Sequence, residues 1–529
     1  MSNDQPIAQI FCRYIEKPAP RHLPPGGGFT NNRVRREAGY SVESLDILLF
    51  LNDAIRVGRD IENNDISIMH PFISRQHFVI YSVEYEEGMR PLVYVRDYNS
   101  LCGTYVDSRF RLPMPVSRSS GHLLGQSEII RLIPYWEFHV YLLGVQPVKS
   151  IMSQLRLAET DRFQNRFLIT RQILGSGALA AVHLAINLET GKQVACKIHQ
   201  LDRFRQLQGS PRIIRRILDE TNILSRLSHP NLLKFVAAFR SSDTLYTFTE
   251  LAMGGDLFSK RLKYPNGLLE MDTKLIIRQV VEAICYLHDQ NIVHRDLKPE
   301  NVFFATGPEL KARVIVGDLG FAKVAASSRM TSEIGTRREI YRGQLYGAEV
   351  DIWSIGMISV FLVAIDWNDI GCFETLDQDA VDKGLSVTFD DLSKRGNTLS
   401  SDLKDFIRAC LSITPSKRIT ANASKMHSWF KSSRPRLEIQ IGECTRGWEA
   451  SQVAHNSVED LDLFESTEAR KIPSLKKRKT QDDRDVEGTP GLHSFANSDS
   501  TNHKRQRIVQ ANLVMKVTGA HEGNIHLNV

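Results

Sequence analysis

The apolar positions of this chain change their rhythm along its length. Between residues 41 and 146 they come in short runs, Asp46 to Leu51, Phe78 to Ser82, Leu92 to Arg96 and Glu137 to Leu143, separated by turn residues. That texture predicts an all-β sandwich. From 163 to 430 the rhythm is mixed. Phe167 to Val182 reads as strand, glycine turn, strand, whereas Ile217, Glu220 and Leu224 recur on one helical face. Residues 1–40 carry Pro-Ala-Pro and Leu-Pro-Pro-Gly-Gly-Gly, which predict a flexible arm. Residues 147–162 read as a linker. From 431 to 529 the chain is polar and charged without a sustained apolar period, which predicts a mostly disordered tail. A multidomain α and β protein is therefore expected, in keeping with a length of 529 residues, more than one core usually spans.

The densest chemistry lies in His294-Arg-Asp-Leu-Lys-Pro-Glu-Asn301. Asp296 can take a hydroxyl proton, Lys298 can neutralise a transferring phosphate, and Asn301 can hold a metal ion that bridges nucleotide phosphates. The partners such a loop needs are present: Lys197 in Val-Ala-Cys-Lys, Glu220 in the helical run, and Asp318 in Val-Gly-Asp-Leu-Gly. With these motifs in this order, the segment resembles the eukaryotic protein kinases, and Lys298 points to the serine/threonine branch. The resemblance implies a bilobal α+β fold that uses ATP and Mg2+, with Asp296, Lys298 and Asn301 catalytic and Asn301 and Asp318 on the metal. It implies a nucleotide site of Leu174, Gly175, Gly177, Val182, Lys197 and Glu220, with the hinge backbone at Glu250 and Ala252 on adenine. Asp256 is then expected on the ribose or on a substrate arginine, where it forms an acidic pair with Glu300.

Three features depart from the family pattern. Ala180 replaces the third glycine of the phosphate loop, and Leu319 replaces the usual Phe after Asp318. Both changes are apolar and are expected to be tolerated. The third is larger: Gly335-Thr336 is followed almost at once by Arg337-Arg338-Glu339, so the platform for a peptide substrate is shortened, with Glu339 expected to pair with Arg418. Arg295 beside Asp296 implies an activation segment ordered by phosphorylation. Thr331 is the first choice of phosphosite, with Ser327, Ser328 and Ser332 as alternatives.

In the β-rich region, Val57-Gly-Arg-Asp60, Ile73-Ser-Arg-Gln-His77 and Ser100-Leu-Cys-Gly-Thr-Tyr-Val106 together resemble the forkhead-associated (FHA) domain, whose loops bind phosphothreonine. The resemblance implies that Arg59 supplies a charged fork and Ser74 a hydroxyl to the phosphate, that Arg75 adds charge or is simply solvated, and that His77 braces the loop. A charge-assisted bond of this kind contributes about 1.5–3 kcal/mol. Cys102 stands where the family usually has Asn to hold the bound peptide's backbone, so binding is expected to be retained but weaker than in a typical member unless Asn99 or Ser100 substitutes.

Composition narrows the setting. The seven cysteines are scattered without a paired spacing, which fits a reducing compartment. No signal peptide or membrane span is read from the sequence, and the net charge of +6 is local, so neither membrane nor direct nucleic-acid binding is expected. Lys476-Lys-Arg-Lys479 and Lys504-Arg-Gln-Arg507 resemble nuclear-import signals, which makes the expected location nuclear and otherwise cytoplasmic. An FHA domain ahead of a kinase domain resembles the checkpoint effector kinases of DNA-damage and meiotic signalling. The expected partners are phosphothreonine proteins, serine/threonine substrates and, after phosphorylation, a second copy of the chain. The competing expectation is a pseudokinase scaffold that assembles phosphorylated partners.

Overall fold

The structure, a computed structural model, describes residues 5–14, 29–31, 44–85, 90–107, 114–116, 121–133, 135–144, 163, 166–176, 180–205, 210–320, 323–324, 347–364, 377–450 and 458–461. The first body is a sandwich of two six-stranded sheets. One sheet runs β3 (Ser44–Leu49), β1 (Ala8–Tyr14), β12 (Trp136–Leu142), β11 (Ser127–Leu132), β8 (Tyr105–Asp107), β9 (Met114–Pro115). The other runs β10 (His122–Leu123), β7 (Leu92–Asp97), β6 (Phe78–Val83), β4 (Ala54–Gly58), β5 (Ile66–Ile68), β2 (Phe29–Asn31). Their facing side chains, among them Ile10, Val57, Phe78, Trp136 and Phe138, make one apolar core.

The expected arm over 1–40 is corrected here. Ala8–Tyr14 is a strand between β3 and β12, with Ala8, Ile10 and Cys12 buried at period two. Phe29–Asn31 pairs with β5. An apolar alternation that fills a sheet outweighs the Pro- and Gly-rich composition that follows it.

In the second body a smaller lobe is built on β13 (Phe167–Ser176), β14 (Ala180–Asn187), β15 (Gln193–Gln200), β17 (Thr244–Glu250), β16 (Phe235–Arg240) and β22 (Val458–Asp460), in that order. Helix α1 (Ser210–Arg226) belongs to the same lobe, and its Ile217 is buried beside Leu201 and Leu245. The larger lobe is helical, centred on α2 (Glu270–Asp289) and α3 (Glu349–Val363), both largely buried. Two short antiparallel pairs, β18 (Ile292–Val293) with β21 (Lys323–Val324) and β19 (Val302–Phe304) with β20 (Val314–Val316), carry the loops between the lobes.

The expectation of a disordered tail from 431 is also corrected. Helix α4 (Arg434–Thr445) packs Leu437, Ile441 and Cys444 on the large-lobe core. Lys234 Nζ donates to the Glu449 carbonyl at 2.8 Å, and Val458–Asp460 form β22, parallel to β16. Leu461 is buried among Phe163, Phe167, Phe239 and Phe248, a side-chain burial that contributes about 1.5–3 kcal/mol. The basic clusters at 476–479 and 504–507 lie outside the described residues, as does the whole of the expected linker at 147–162.

The two bodies touch. Strands β6 and β7 are buried on both faces: Phe78, Ile80, Val93 and Val95 enter the sandwich core, while Tyr81, Val83 and Tyr94 pack on the kinase-like body.

Candidate catalytic cleft and phosphopeptide loops

Four strands bring the nucleotide-side residues into one row. Gly175 pairs with Val182, Val182 with Lys197, and Lys197 with Thr247. Strand alternation then points Lys197 toward α1, where its Nζ meets Glu220 Oε1 at 2.8 Å. Burial alone would lower the lysine's pKa, but the carboxylates of Glu220 and Asp318 outweigh it and the net direction is up, so the ammonium is firmly held. One turn earlier on α1, Arg216 donates from Nε to the Gly320 carbonyl, tying the helix to the segment after Asp318. His199, two residues beyond Lys197, is driven down to about 3 by burial and by the neighbouring Lys197, and stays neutral.

The catalytic loop is compact. Asn301 donates from Nδ2 to the Asp296 carbonyl at 2.7 Å and to Asp296 Oδ2 at 3.0 Å, and Lys298 Nζ lies 3.1 Å from the same Oδ2. Two non-glycine residues take left-handed backbone here, Arg295 (φ 70°) and Asp318 (φ 56°), conformations that surrounding bonds must hold. The holder for Arg295 is Asp351 on α3. This buried carboxylate accepts from His294 N at 2.9 Å, Arg295 N at 2.8 Å and His288 Nε2 at 2.8 Å. Burial pushes its pKa up, the bonds from His288 and its neighbours pull it down further, and it remains charged. His294 packs as expected: it is fully buried, with Nε2 3.0 Å from the Gly317 carbonyl.

Other expected residues sit as follows. Leu174, Gly175 and Val182 are half-buried along the cleft strands, and Ala252 is half-buried in the hinge. The Glu250 side chain is taken up by Lys234 N at 2.9 Å and by the Arg313 guanidinium, and its own N–H donates to the Lys234 carbonyl at 2.9 Å. Asp256 is buried and caps the helix Leu257–Arg261, accepting from Ser259 N at 2.7 Å and Ser259 Oγ at 2.8 Å, and burial raises its pKa. Glu300 is more exposed than Asp256, yet burial of its carboxyl raises its pKa too and the Asp256 charge adds to the rise, so the two acids lie close enough to sense one another. Leu319 is buried in the large-lobe core. Gly177, Thr331, the alternative serines and Glu339 lie outside the described residues. Arg418 bonds the carbonyls of Ser412 at 2.7 Å and Glu349 at 3.1 Å.

At one end of the sandwich, Arg59, Ser74 and Arg75 come together. Arg59 N donates to the Ser74 carbonyl at 2.9 Å, and both arginine side chains are exposed. The two loops press so close that a Cβ at Gly58 would lie 2.3 Å from the Arg75 carbonyl. His77 braces them, its Nδ1 accepting from Ser74 N at 3.2 Å and its Nε2 donating to the Gly103 carbonyl at 3.2 Å. Ser74 Oγ accepts from Leu101 N at 3.0 Å, which draws the third loop in. Of the two candidates to replace the missing Asn, Ser100 is already committed. It is buried, donates to Asp97 Oδ2 at 2.6 Å and accepts from Gly103 N at 3.0 Å. Asn99 is exposed on left-handed backbone (φ 61°) and is the one left available.

Sequence reading missed the residues that hold these loops rather than act in them. Asn64 donates to the carbonyls of Asp60 at 2.6 Å and Arg75 at 2.7 Å. Asp97 accepts from Ser100 and Thr104, and Asp351 organises the catalytic loop. Each is a buried polar residue inside or beside an apolar run, and that is the only trace it leaves in the sequence.

A protein kinase domain profile matches residues 168–430, and an FHA domain profile matches residues 55–132. The chain is 30% identical over 387 residues to the meiosis-specific serine/threonine-protein kinase mek1 of Schizosaccharomyces pombe, covering 69% of this chain and 78% of that one. It is 27% identical over 476 residues to the meiosis-specific serine/threonine-protein kinase MEK1 of Saccharomyces cerevisiae, covering 82% and 90%. Similarity to a calcium/calmodulin-dependent protein kinase type 1 of Macrobrachium nipponense reaches 32% over 280 residues, 51% of this chain and 76% of that one.

Proposed function

The chain belongs to the FHA-domain serine/threonine protein kinases, and from that premise we propose that it transfers the γ-phosphoryl group of Mg-ATP to serine or threonine in meiotic or DNA-damage checkpoint signalling, recruited and activated through its FHA domain. The observation that carries this reading is the 2.8 Å pair of Lys197 and Glu220 beside a catalytic loop whose Asp296, Lys298 and Asn301 are already in mutual contact.

In that reading Lys197, held by Glu220, binds the α- and β-phosphates. Asp296 accepts the proton of the attacking hydroxyl, and Lys298 neutralises the phosphoryl group as it moves. Asn301 turns its amide nitrogen to Asp296, which leaves its carbonyl oxygen for a hard cation, and the exposed Asp318 carboxylate is the second oxygen donor. An all-oxygen set with few protein ligands fits Mg2+, which Asn301 and Asp318 would hold. The cation would offset charge on the β- and γ-phosphates. The backbone of Glu250 and Ala252 meets adenine.

The FHA loops dock a phosphothreonine of an activator or of a second copy through Arg59 and Ser74, with Arg75 adding charge. Docking concentrates kinase domains so that they phosphorylate one another's activation segments, at Thr331 first. The basic clusters at 476–479 and 504–507 direct the chain to the nucleus, and deleting them should leave it cytoplasmic when its location is followed by microscopy.

The shortened segment after Gly335-Thr336 favours a second reading, a pseudokinase scaffold. Radiolabel transfer from Mg-ATP, to the protein itself and to an arginine-containing serine/threonine peptide library, separates the two when an Asp318→Ala control is run alongside. Label that vanishes in the control supports the enzyme. No label from either protein, even after treatment with an upstream kinase, supports the scaffold.

A further inference from the structure

The face of the sandwich opposite its core lies against the cleft's hinge. Tyr81, Val83 and Tyr94 share one apolar cluster with Leu184, Leu251 and Met253, and Leu174 and Ala195 of the nucleotide strands pack against it. Two hydroxyls reach the hinge backbone. Tyr85 donates to the Ala252 carbonyl at 2.6 Å and bonds the Tyr94 hydroxyl at 2.9 Å. Tyr81 donates to the Met253 carbonyl at 3.2 Å and accepts from Gly307 N at 3.3 Å.

The kinase side is cut to receive them. Gly255 is left-handed (φ 78°), and a Cβ there would lie 2.9 Å from Val83 Cγ1. A Cβ at Gly307 would lie 2.8 Å from the Tyr81 ring. The contact extends to both lobes. In the small lobe Gln193 exchanges bonds with Leu123, accepting from its N–H at 2.6 Å and donating to its carbonyl at 2.9 Å. In the large lobe Glu309 pairs with Arg96 at 2.9 Å and accepts from the Tyr98 hydroxyl.

We infer that Tyr81 and Tyr85 of the FHA domain are positioning residues of the ATP site, which fix the hinge backbone that meets adenine. The inference rests on the reading of this cleft as an ATP site. A carbonyl enclosed by apolar side chains needs a donor, and a hinge carbonyl without one swings toward water. The Ala252 carbonyl shares its peptide plane with Met253 N, which donates to the Ala305 carbonyl at 3.1 Å, so Tyr85 and Ala305 clamp that plane from its two sides and fix the backbone next to the Ala252 N–H expected on the adenine edge. The FHA domain is therefore a wall of the nucleotide site as well as a docking module, and nucleotide affinity depends on residues more than 150 positions away in the chain.

Calorimetric titration of Mg-ATP into the full chain, with no peptide acceptor, tests this. Tyr85→Phe is expected to weaken Mg-ATP binding about three- to tenfold, and Tyr81→Phe with Tyr85→Phe further, while the melting temperature changes little. A role in domain packing alone would lower the melting temperature and leave nucleotide affinity unchanged, and that result in the double variant overturns the inference. Gly307→Val displaces Tyr81 from the kinase side with every FHA residue intact. It should reproduce the loss, and an unchanged affinity there overturns the inference even if the double variant folds poorly. A wild-type chain that does not bind Mg-ATP would instead overturn the ATP reading itself.

Discussion

The phosphopeptide loop and the catalytic loop each hang on a buried aspartate, and the two aspartates differ in how far their reach extends. Asp97 accepts from Ser100 N at 2.8 Å, Ser100 Oγ at 2.6 Å and Thr104 Oγ1 at 2.6 Å, all donors within seven residues of it. Asp351 accepts from His288, His294 and Arg295, which lie 56 to 63 residues away on another helix and its following loop. A local carboxylate shapes one loop. A long-range carboxylate ties the loop to the helices beneath it, so the catalytic loop shares the fate of the large lobe whereas the phosphopeptide loop can fail alone.

The sharpest test removes chemistry while leaving the scaffold. Asp296→Asn should lower phosphoryl transfer about 10²- to 10⁴-fold with the melting temperature unchanged, as steady-state rates beside calorimetry would reveal. Asp351→Ala should cost both activity and stability, about 3–5 kcal/mol in denaturant unfolding, because it strands the His288 ring and two backbone donors in the interior. If Asp351→Ala melts like wild type, the claimed difference in reach fails. Asp97→Ala should weaken phosphothreonine-peptide binding about tenfold, read by fluorescence polarisation, with transfer to a free peptide within about twofold of wild type.

The smallest effect is on pH dependence. Burial lowers the pKa of His77, and it lowers those of His199 and His229 to about 3 and about 4, from an ordinary value of 6.5. A depressed pKa means that the unfolded chain binds the proton first. These histidines therefore contribute their full stability above pH 6.5, and it is lost as pH falls from there toward the folded values. In the phosphopeptide loop, protonating His77 Nδ1 also removes the acceptor for Ser74 N, so peptide affinity should decline along with the melting temperature when both are followed below pH 6.5.

What was legible in the sequence divides along similar lines. Asp296, Lys298 and Asn301 stand within six residues, and their roles follow from side-chain chemistry, so the loop could be read before any fold was known. Glu220 was legible because helical spacing puts it on the face of Ile217 and Leu224. Asp351 was visible only as part of an apolar helix. Its role depends on which loop is folded against it, and no local pattern states that. Strand β1 alternates Ala8, Ile10 and Cys12 inward, but the Pro-rich segment after it masked the signal. Strand β22, Val-Glu-Asp, has no apolar pattern of its own and is placed by the open edge of β16 and by Leu461. The docked face did leave a trace. Phe-Val-Ile-Tyr-Ser-Val and Leu-Val-Tyr-Val are apolar at consecutive positions, as strands covered on both sides are.

The order in which a ribosome delivers the chain gives β22 a further consequence. The five strands at 167–250 emerge early, yet their outer edge at β16 and the aromatic pit around Phe163 and Phe239 stay open until residues 458–461 follow. A nascent chain, or a fragment cut at residue 430 where the kinase match ends, carries the catalytic set with an unpaired strand on its flank. Such an edge is a template for another chain, and crowded polysomes supply neighbours with the same edge. Strand β22 closes an edge of the small-lobe sheet that would otherwise be open to pair with another chain.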